Sequence, residues 1–129
     1  MHALKKSDIG YNGFGEVYFS WVEQGAIKAW KCHQRMTLNL VVPVGEVRFV
    51  FHCKAHIAEQ KREPGNEFRI EKLGNDRYSR ITVPPGIWFG FQGLASGSSL
   101  LMNVADMEHD SNEVLRKVAT EFAFDWSVK

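Results

Sequence analysis

Short apolar runs separated by turn residues make up most of this chain, and the residues within them often alternate between apolar and polar. Such alternation is typical of β-strands with one buried face. About eight strands without intervening helices predict an all-β fold, an antiparallel β-sandwich or small barrel. The candidate strands cover residues 16–22, 26–33, 37–42, 47–51, 67–73, 78–83, 87–91 and 100–104.

Only the C-terminal region has a helical pattern. Asp110 or Ser111 could cap a short C-terminal helix through residues 112–117, ahead of a final extended segment. Residues 58–66 combine charge with proline and glycine, so we expect a surface loop there. Because a chain of 129 residues fits one core and has no visible linker, we expect a single domain over residues 1–129.

The charge balance limits the kinds of partner. Sixteen Lys and Arg residues oppose 15 Asp and Glu residues, which leaves a formal net charge of +1. A balanced charge predicts no binding to nucleic acid and no attraction to an anionic membrane surface. No apolar run approaches the roughly 20 residues of a membrane span, and the first residues lack the apolar core of a secretion signal. We therefore expect a soluble, cytoplasmic protein.

Cations interrupt the apolar pattern between Gly25 and Cys53. A sheet face with mixed polarity is expected where the sheet lines a polar cavity. Strict alternation places Lys31 and His33 on one face of their strand, and Lys28 on the other face together with Trp30 and Cys32.

Several stretches resemble a known family. Residues 25–33, Gly-Ala-Ile-Lys-Ala-Trp-Lys-Cys-His, resemble the Gly-x-Ile/Leu-Arg-Gly-x-His strand of the dTDP-4-dehydrorhamnose 3,5-epimerases. Residues 83–91, Val-Pro-Pro-Gly-Ile-Trp-Phe-Gly-Phe, resemble their Ile-Pro-x-Gly-x-x-His-Gly-Phe turn and strand. Residues 13–16 are similar to the family's Arg-Gly-Phe-Phe-x-Glu opening, and residues 103–106 and 124–126 are similar to its tail. The resemblance covers nearly the whole chain in order.

This resemblance implies an RmlC-like cupin jelly roll, commonly a homodimer. It also implies a nucleotide-sugar small molecule as ligand, namely a nucleotide-linked 4-keto sugar of cell-surface polysaccharide biosynthesis. The chain departs from the family at its catalytic positions. The family's catalytic base falls on Lys31, the preceding Arg on Lys28, the active-site His on Phe89, and the catalytic Tyr on Met102. The carboxylate that orients the family's base falls on Phe49.

Lys31 and His33 are the candidate catalytic residues. Epimerisation beside a ketone needs a base, an acid that returns the proton, and a group that stabilises the enolate. Burial and nearby cations would lower the pKa of Lys31 towards a usable range, and as an ammonium it could stabilise the enolate. An unperturbed imidazole titrates near neutral pH, which suits His33. A solvated Lys31 and a structural, hydrogen-bonded His33 are the alternatives.

The candidate substrate-binding residues are polar or aromatic side chains of the same strands. Asn39 and Asn103 would each cost a few kcal/mol if buried unpaired, so they either bond to backbone or face a ligand. Trp88 could stack on a sugar or base, with a core position as its alternative. Arg48 could contact phosphate or lie on the outer face. The resemblance adds Glu16 and Lys28, so the full set is Glu16, Lys28, Asn39, Arg48, Trp88 and Asn103.

We expect no metal ion and no other cofactor. Metal-binding cupins combine two His separated by one residue, a nearby carboxylate and a later His. Here the corresponding positions hold Lys31, His33 and Phe89, and no carboxylate follows before Glu46.

Three hypotheses of function remain. The first is a dTDP-4-dehydrorhamnose 3,5-epimerase-like protein with altered catalytic residues, which acts on a nucleotide-linked 4-keto sugar. The second is a catalytically inactive cupin that binds a carbohydrate or nucleotide sugar. The third, a purely structural β protein, does not explain the cations within the strands.

Overall fold

A computed structural model describes residues 1–53 and 67–127, so the loop predicted at residues 58–66 lies outside the described residues. The described part of the chain forms nine β-strands and contains no helix. The strands are β1 Glu16–Val22, β2 Ile27–His33, β3 Leu38–Val44, β4 Glu46–His52, β5 Phe68–Gly74, β6 Ile81–Val83, β7 Trp88–Gly93, β8 Ser99–Ala105 and β9 Val114–Arg116.

The strands form two antiparallel sheets that face each other. The order is β1-β8-β3-β6 in the four-stranded sheet and β5-β4-β7-β2-β9 in the five-stranded sheet. The prediction of an all-β antiparallel sandwich is therefore confirmed, and the arrangement is consistent with a cupin jelly roll.

The prediction of a short C-terminal helix at residues 112–117 is wrong. This segment contains β9, which pairs with the edge of β2 through Lys31 with Arg116 and His33 with Val114. Backbone hydrogen bonds join Trp30 and Lys117 in both directions and extend the ladder. The free edge of β2 offers a row of backbone donors and acceptors, and pairing with it outweighs the weak local preference of a few residues for a helix.

The inward faces of both sheets carry the apolar core. Because successive side chains alternate across a strand, the core residues identify which positions point inwards. The core residues include Leu38, Leu40, Leu101 and Ala105 from the four-stranded sheet and Val47, Phe49, Phe51, Phe89 and Phe91 from the five-stranded sheet.

A β-bulge in β2 changes which side chains share a face. Lys28 pairs with Phe91 and Lys31 pairs with Phe89, with two residues of β2 opposite Gly90. A Cβ atom at Gly90 would lie 2.5 Å from the Cβ of Ala29, so this close approach requires glycine. Since Phe89 and Phe91 both point inwards, Lys28 and Lys31 do too, and the placement of Lys28 by strict alternation is wrong.

The C-terminal segment, residues 117–127, packs on the outer face of the five-stranded sheet, and we call it the C-terminal cover. The Trp30 ring lies 5.1 Å from Phe122 and 5.4 Å from Trp126, measured between centroids. The Trp30 Nε1–H donates to the carbonyl of Ala119 at 3.0 Å. Trp30 therefore packs outside the sandwich.

Candidate functional site

The inner face of β2 brings together Lys28, Lys31 and His33. His33 is only 6% exposed, and its ring lies over Phe89 with a centroid separation of 6.4 Å. Lys31 is half-buried, whereas Lys28 is exposed. The structure thus places both predicted catalytic residues and one predicted binding residue on the same face.

Arg116 of β9 adds a third cation beside the two lysines, because it pairs directly with Lys31. The pKa of Lys31 is lowered from its ordinary value by burial first, then by the charges of Arg116 and Lys28. A lower pKa makes a neutral amine more accessible at physiological pH, so Lys31 can exchange a proton with a bound molecule. Arg116 was missed because its segment was expected to be helical.

Glu113, which directly precedes β9, holds His33 in place. Its side chain is 1% exposed, and one carboxylate oxygen accepts a hydrogen bond from Nδ1 of His33. The other oxygen accepts from the backbone N–H groups of Arg35 at 3.1 Å and Met36 at 3.2 Å. Burial alone would raise the pKa of Glu113, but these hydrogen bonds hold it below its ordinary value.

This carboxylate determines the state of the imidazole. An ionised carboxylate only accepts hydrogen bonds, so Nδ1 of His33 must carry the proton. In the neutral ring, Nε2 is then left as a proton acceptor. The sequence gave no signal for this pair, because 80 residues separate its members.

Two predicted binding residues, Glu16 and Asn103, lie on the inner face of the four-stranded sheet. Glu16 pairs with Ala105, and Asn103 pairs with Leu40 and Tyr18. Oε1 of Glu16 and Nδ2 of Asn103 are buried, and neither has a hydrogen-bond partner among the described residues. Unpaired buried polar atoms are rare enough in native proteins to indicate a bound water or ligand.

The connection between β2 and β3 places Glu16 at the same end of the sandwich as His33. Residues 34–37 link His33 to Leu38, Leu38 pairs with Ala105, and Ala105 pairs with Glu16. We call this set of inward-facing residues the inner polar group. It comprises Glu16, Lys28, Lys31, His33, Asn103, Glu113 and Arg116.

Asn39 does not belong to the inner polar group. Its side chain lies on the outer face of the four-stranded sheet and donates to the carbonyl of Gly10 at 3.1 Å. Its Oδ1 accepts from Arg80 and Thr82, both at 2.6 Å. Asn39 therefore fastens the N-terminal segment to the sheet.

Arg48 and Trp88 also lie elsewhere, on the outer face of the five-stranded sheet. Arg48 donates to the carbonyl of Trp126 at 2.6 Å. The ring of Trp88 lies 5.9 Å from that of Phe122, and the ammonium of Lys117 lies 4.9 Å from the centroid of Trp88. Both residues contact the C-terminal cover.

The part of the chain that the structure describes shows no group of three His, Cys, Asp or Glu side chains that could hold a metal ion. Within residues 1–53 and 67–127, no helix is long and apolar enough to cross a membrane.

The jelly-roll sandwich with polar side chains on its inner faces defines a cupin of the sugar-modifying class, and structural comparison supports this. A dTDP-sugar isomerase from Desulfovibrio desulfuricans G20 is 30% identical, with a TM-score of 0.83 over 97% of this chain and 79% of that protein. This protein belongs to the family of that dTDP-sugar isomerase. No protein-family model and no curated protein matches the sequence.

More distant structures share the fold. The sugar 3,4-ketoisomerase QdtA from Thermoanaerobacterium thermosaccharolyticum, solved with TDP, is 18% identical, with a TM-score of 0.66 over 87% of this chain and 72% of that protein. The 4-keto-6-deoxy sugar epimerase NovW from Streptomyces spheroides is 14% identical, with a TM-score of 0.72 over 90% of this chain and 58% of its own. The resemblance to sugar-epimerase cupins is thus confirmed at the level of the fold and of the dTDP-sugar isomerase family.

Proposed function

We propose that this protein isomerises or epimerises a nucleotide-linked 4-keto sugar in nucleotide-sugar biosynthesis, with catalytic residues that differ from those of the 3,5-epimerases. The buried His33–Glu113 pair beside Lys31 is the observation that supports this most. It gives the inner face one oriented proton acceptor and one amine that can exchange a proton, which are the two groups that the chemistry needs.

His33 is the base in this proposal. The ketone makes the hydrogen on the adjacent carbon acidic, and Nε2 removes it as a proton while the electron pair moves to the carbonyl oxygen. Glu113 stabilises the imidazolium that forms. The positive charges of Lys31, Lys28 and Arg116 stabilise the enolate oxygen. Return of a proton to the opposite face of the same carbon gives the epimer, and return to the former carbonyl carbon gives the keto isomer.

Lys31 takes the place of the family's catalytic base, and Phe89 takes the place of its second His. These two residues are paired neighbours on β7 and β2. His33, two residues beyond Lys31 and on the same face, supplies the imidazole in this arrangement. The site therefore uses a different strand position for the same kind of group.

Lys28 and Arg116 are both exposed, and they flank Lys31 on the inner face. Two cations at this edge suit the diphosphate of a sugar nucleotide. TDP-4-keto-6-deoxyglucose, with which QdtA has been crystallised, is the substrate we propose to test first.

A binding protein without turnover is the second candidate. The family's His and Tyr positions hold Phe89 and Met102, and neither side chain can exchange a proton. Met102 pairs with Val41 and Phe19 and faces away from the core. Ligand binding without any proton exchange would favour this second candidate.

Solvent deuterium exchange tests the proposal. We expect the wild-type protein to incorporate deuterium next to the ketone of TDP-4-keto-6-deoxyglucose, and His33→Asn to lose this activity while it still binds TDP. His52→Asn is the matched control, because His52 pairs with Trp88 on the outer face of the same sheet. Equal exchange by wild type and His33→Asn would contradict the role of His33.

We also propose a homodimer, formed through the outer face of β1. Val17, Phe19 and Trp21 alternate along this edge strand and are 43%, 59% and 60% exposed. β1 contains no Pro or Lys, which commonly protect a free sheet edge from another chain. A second copy would cover this apolar row.

A further inference from the structure

The orientation of the Asn103 side-chain amide can be deduced from its surroundings. Its Oδ1 accepts a hydrogen bond at 3.2 Å from the backbone N–H of Asn39, and a backbone nitrogen can only donate. The amide therefore cannot be flipped, and Nδ2 must be the group without a partner among the described residues. The side chain is 1% exposed, so bulk water does not reach this donor.

Glu16 presents the complementary atom nearby. Tyr18 pairs with Asn103, and Glu16 pairs with Ala105, so Glu16 and Asn103 are diagonal neighbours on the same inward face. Diagonal neighbours have Cα atoms about 7–8 Å apart, within reach of one small ligand. The buried Oε1 of Glu16 is an acceptor, whereas Nδ2 of Asn103 is a donor.

We propose that Asn103 and Glu16 together bind an α-hydroxyketone, the adjacent carbonyl and hydroxyl of the keto sugar. Nδ2 of Asn103 donates to the carbonyl oxygen, and Oε1 of Glu16 accepts from the neighbouring hydroxyl. This inference rests on the proposed function and names the feature of the substrate that the site recognises.

A carbonyl suits Asn103 better than a second hydroxyl does. The inward-facing neighbours of Asn103 in its own sheet include Leu40 and Leu101, which offer no acceptor. A hydroxyl at this point would have its own proton left unpaired, and an acceptor-only oxygen avoids that cost. The same hydrogen bond strengthens as the carbonyl becomes an enolate, so Asn103 would also stabilise the intermediate.

Calorimetric titration of wild type, Asn103→Asp and Glu16→Leu with three ligands tests this pairing. The ligands are TDP, TDP-4-keto-6-deoxyglucose and the analogue of the latter without the 3-hydroxyl. Asn103→Asp keeps the Oδ1 that the N–H of Asn39 requires but removes the donor. We expect it to weaken keto-sugar binding about 10- to 100-fold and to change TDP binding less than about threefold.

Glu16→Leu should weaken binding of TDP-4-keto-6-deoxyglucose by a similar factor but leave binding of the 3-deoxy analogue unchanged, because that analogue has no hydroxyl for Glu16. Asn39→Asp, on the outer face of the same sheet, is the control for general damage. Wild-type protein alone provides a measurement that needs no variant, since it should bind the 3-deoxy analogue about 10- to 100-fold more weakly than the hydroxyketone.

The outcomes separate the two levels of the proposal. If wild type neither binds the keto sugar nor exchanges its protons, the proposed function and this inference both fail. If wild type exchanges protons but does not distinguish the 3-deoxy analogue, or if the substitutions weaken TDP and keto sugar equally, the α-hydroxyketone pairing fails while the proposed function stands. A complex in which Nδ2 of Asn103 bonds only to water would also overturn the pairing.

Discussion

Replacing Glu113 by Gln should separate catalysis from stability. The carboxylate accepts three hydrogen bonds, one from Nδ1 of His33 and two from the backbone of Arg35 and Met36. The Gln oxygen can keep the two backbone bonds, which turns its NH₂ group towards His33. Because NH₂ is a donor, Nδ1 must then become an acceptor, and the ring proton moves to Nε2. The nitrogen that we assign as the base is thereby blocked.

The two effects differ in size. Removing one partner of a buried pair costs about 3–5 kcal/mol, and two retained backbone bonds recover about 1 kcal/mol each. We therefore expect Glu113→Gln to lower the free energy of unfolding by about 1–3 kcal/mol. The loss of general-base catalysis should lower the exchange rate about 10²- to 10⁴-fold.

Urea unfolding and proton exchange on the same samples measure both quantities. Asp110→Asn is the matched control, because Asp110 forms a surface ion pair with Arg35 at 2.8 Å and should contribute at most about 1 kcal/mol. An exchange rate for folded Glu113→Gln within about threefold of wild type would refute the assignment of His33 and Glu113.

The stability difference should also depend on pH. The pKa of Glu113 in the folded protein is below its ordinary value, despite burial, because of its hydrogen bonds. Wild type should therefore keep its advantage over Glu113→Gln above the ordinary carboxyl pKa of about 4.3 and lose it as pH falls through the lower folded value. An advantage that is the same at pH 7 and at pH 3 would contradict this linkage.

Three further predictions concern the surroundings of the site. Arg116→Gln should raise the pKa of Lys31, so the limb of the pH–rate profile that belongs to this amine should move to higher pH; an unmoved limb would exclude the coupling. Phe122→Ala should lower the free energy of unfolding by about 2–4 kcal/mol in urea titrations yet leave TDP affinity unchanged, since Phe122 stacks on His52 outside the sandwich; weaker TDP binding would contradict this. Trp21→Asp should convert a dimer into a monomer in sedimentation velocity, and a dimer that survives would place the interface elsewhere.

The strands were predictable because a half-buried strand leaves a local mark in the sequence. Residues 16–22 and 100–104 alternate clearly, and both became strands with one inward face. The bulge in β2 left no such mark, since it depends on Ala29 fitting against Gly90 of another strand. The C-terminal helix failed for a related reason, because the partner that makes residues 114–116 a strand lies about 80 residues away.

The site was predictable only in part. Lys31 and His33 were identified from polarity within an apolar run, and the structure places them together. Glu113 and Arg116 were not, because they reach the site through β9 and not through any motif. Asn39 and Asn103 look alike in the sequence, yet one faces outwards to Gly10 and the other faces the interior. Register across β3 and β8 decides between these roles, and register is a property of the whole sheet.

Proton NMR of TDP-4-keto-6-deoxyglucose incubated with the wild-type protein in D₂O tests the central claim most directly. We predict that the signal of a hydrogen next to the ketone disappears with wild type, and that it persists with His33→Asn. A sugar that binds to the wild-type protein but keeps every carbon-bound hydrogen would contradict the claim that this site performs proton-transfer chemistry.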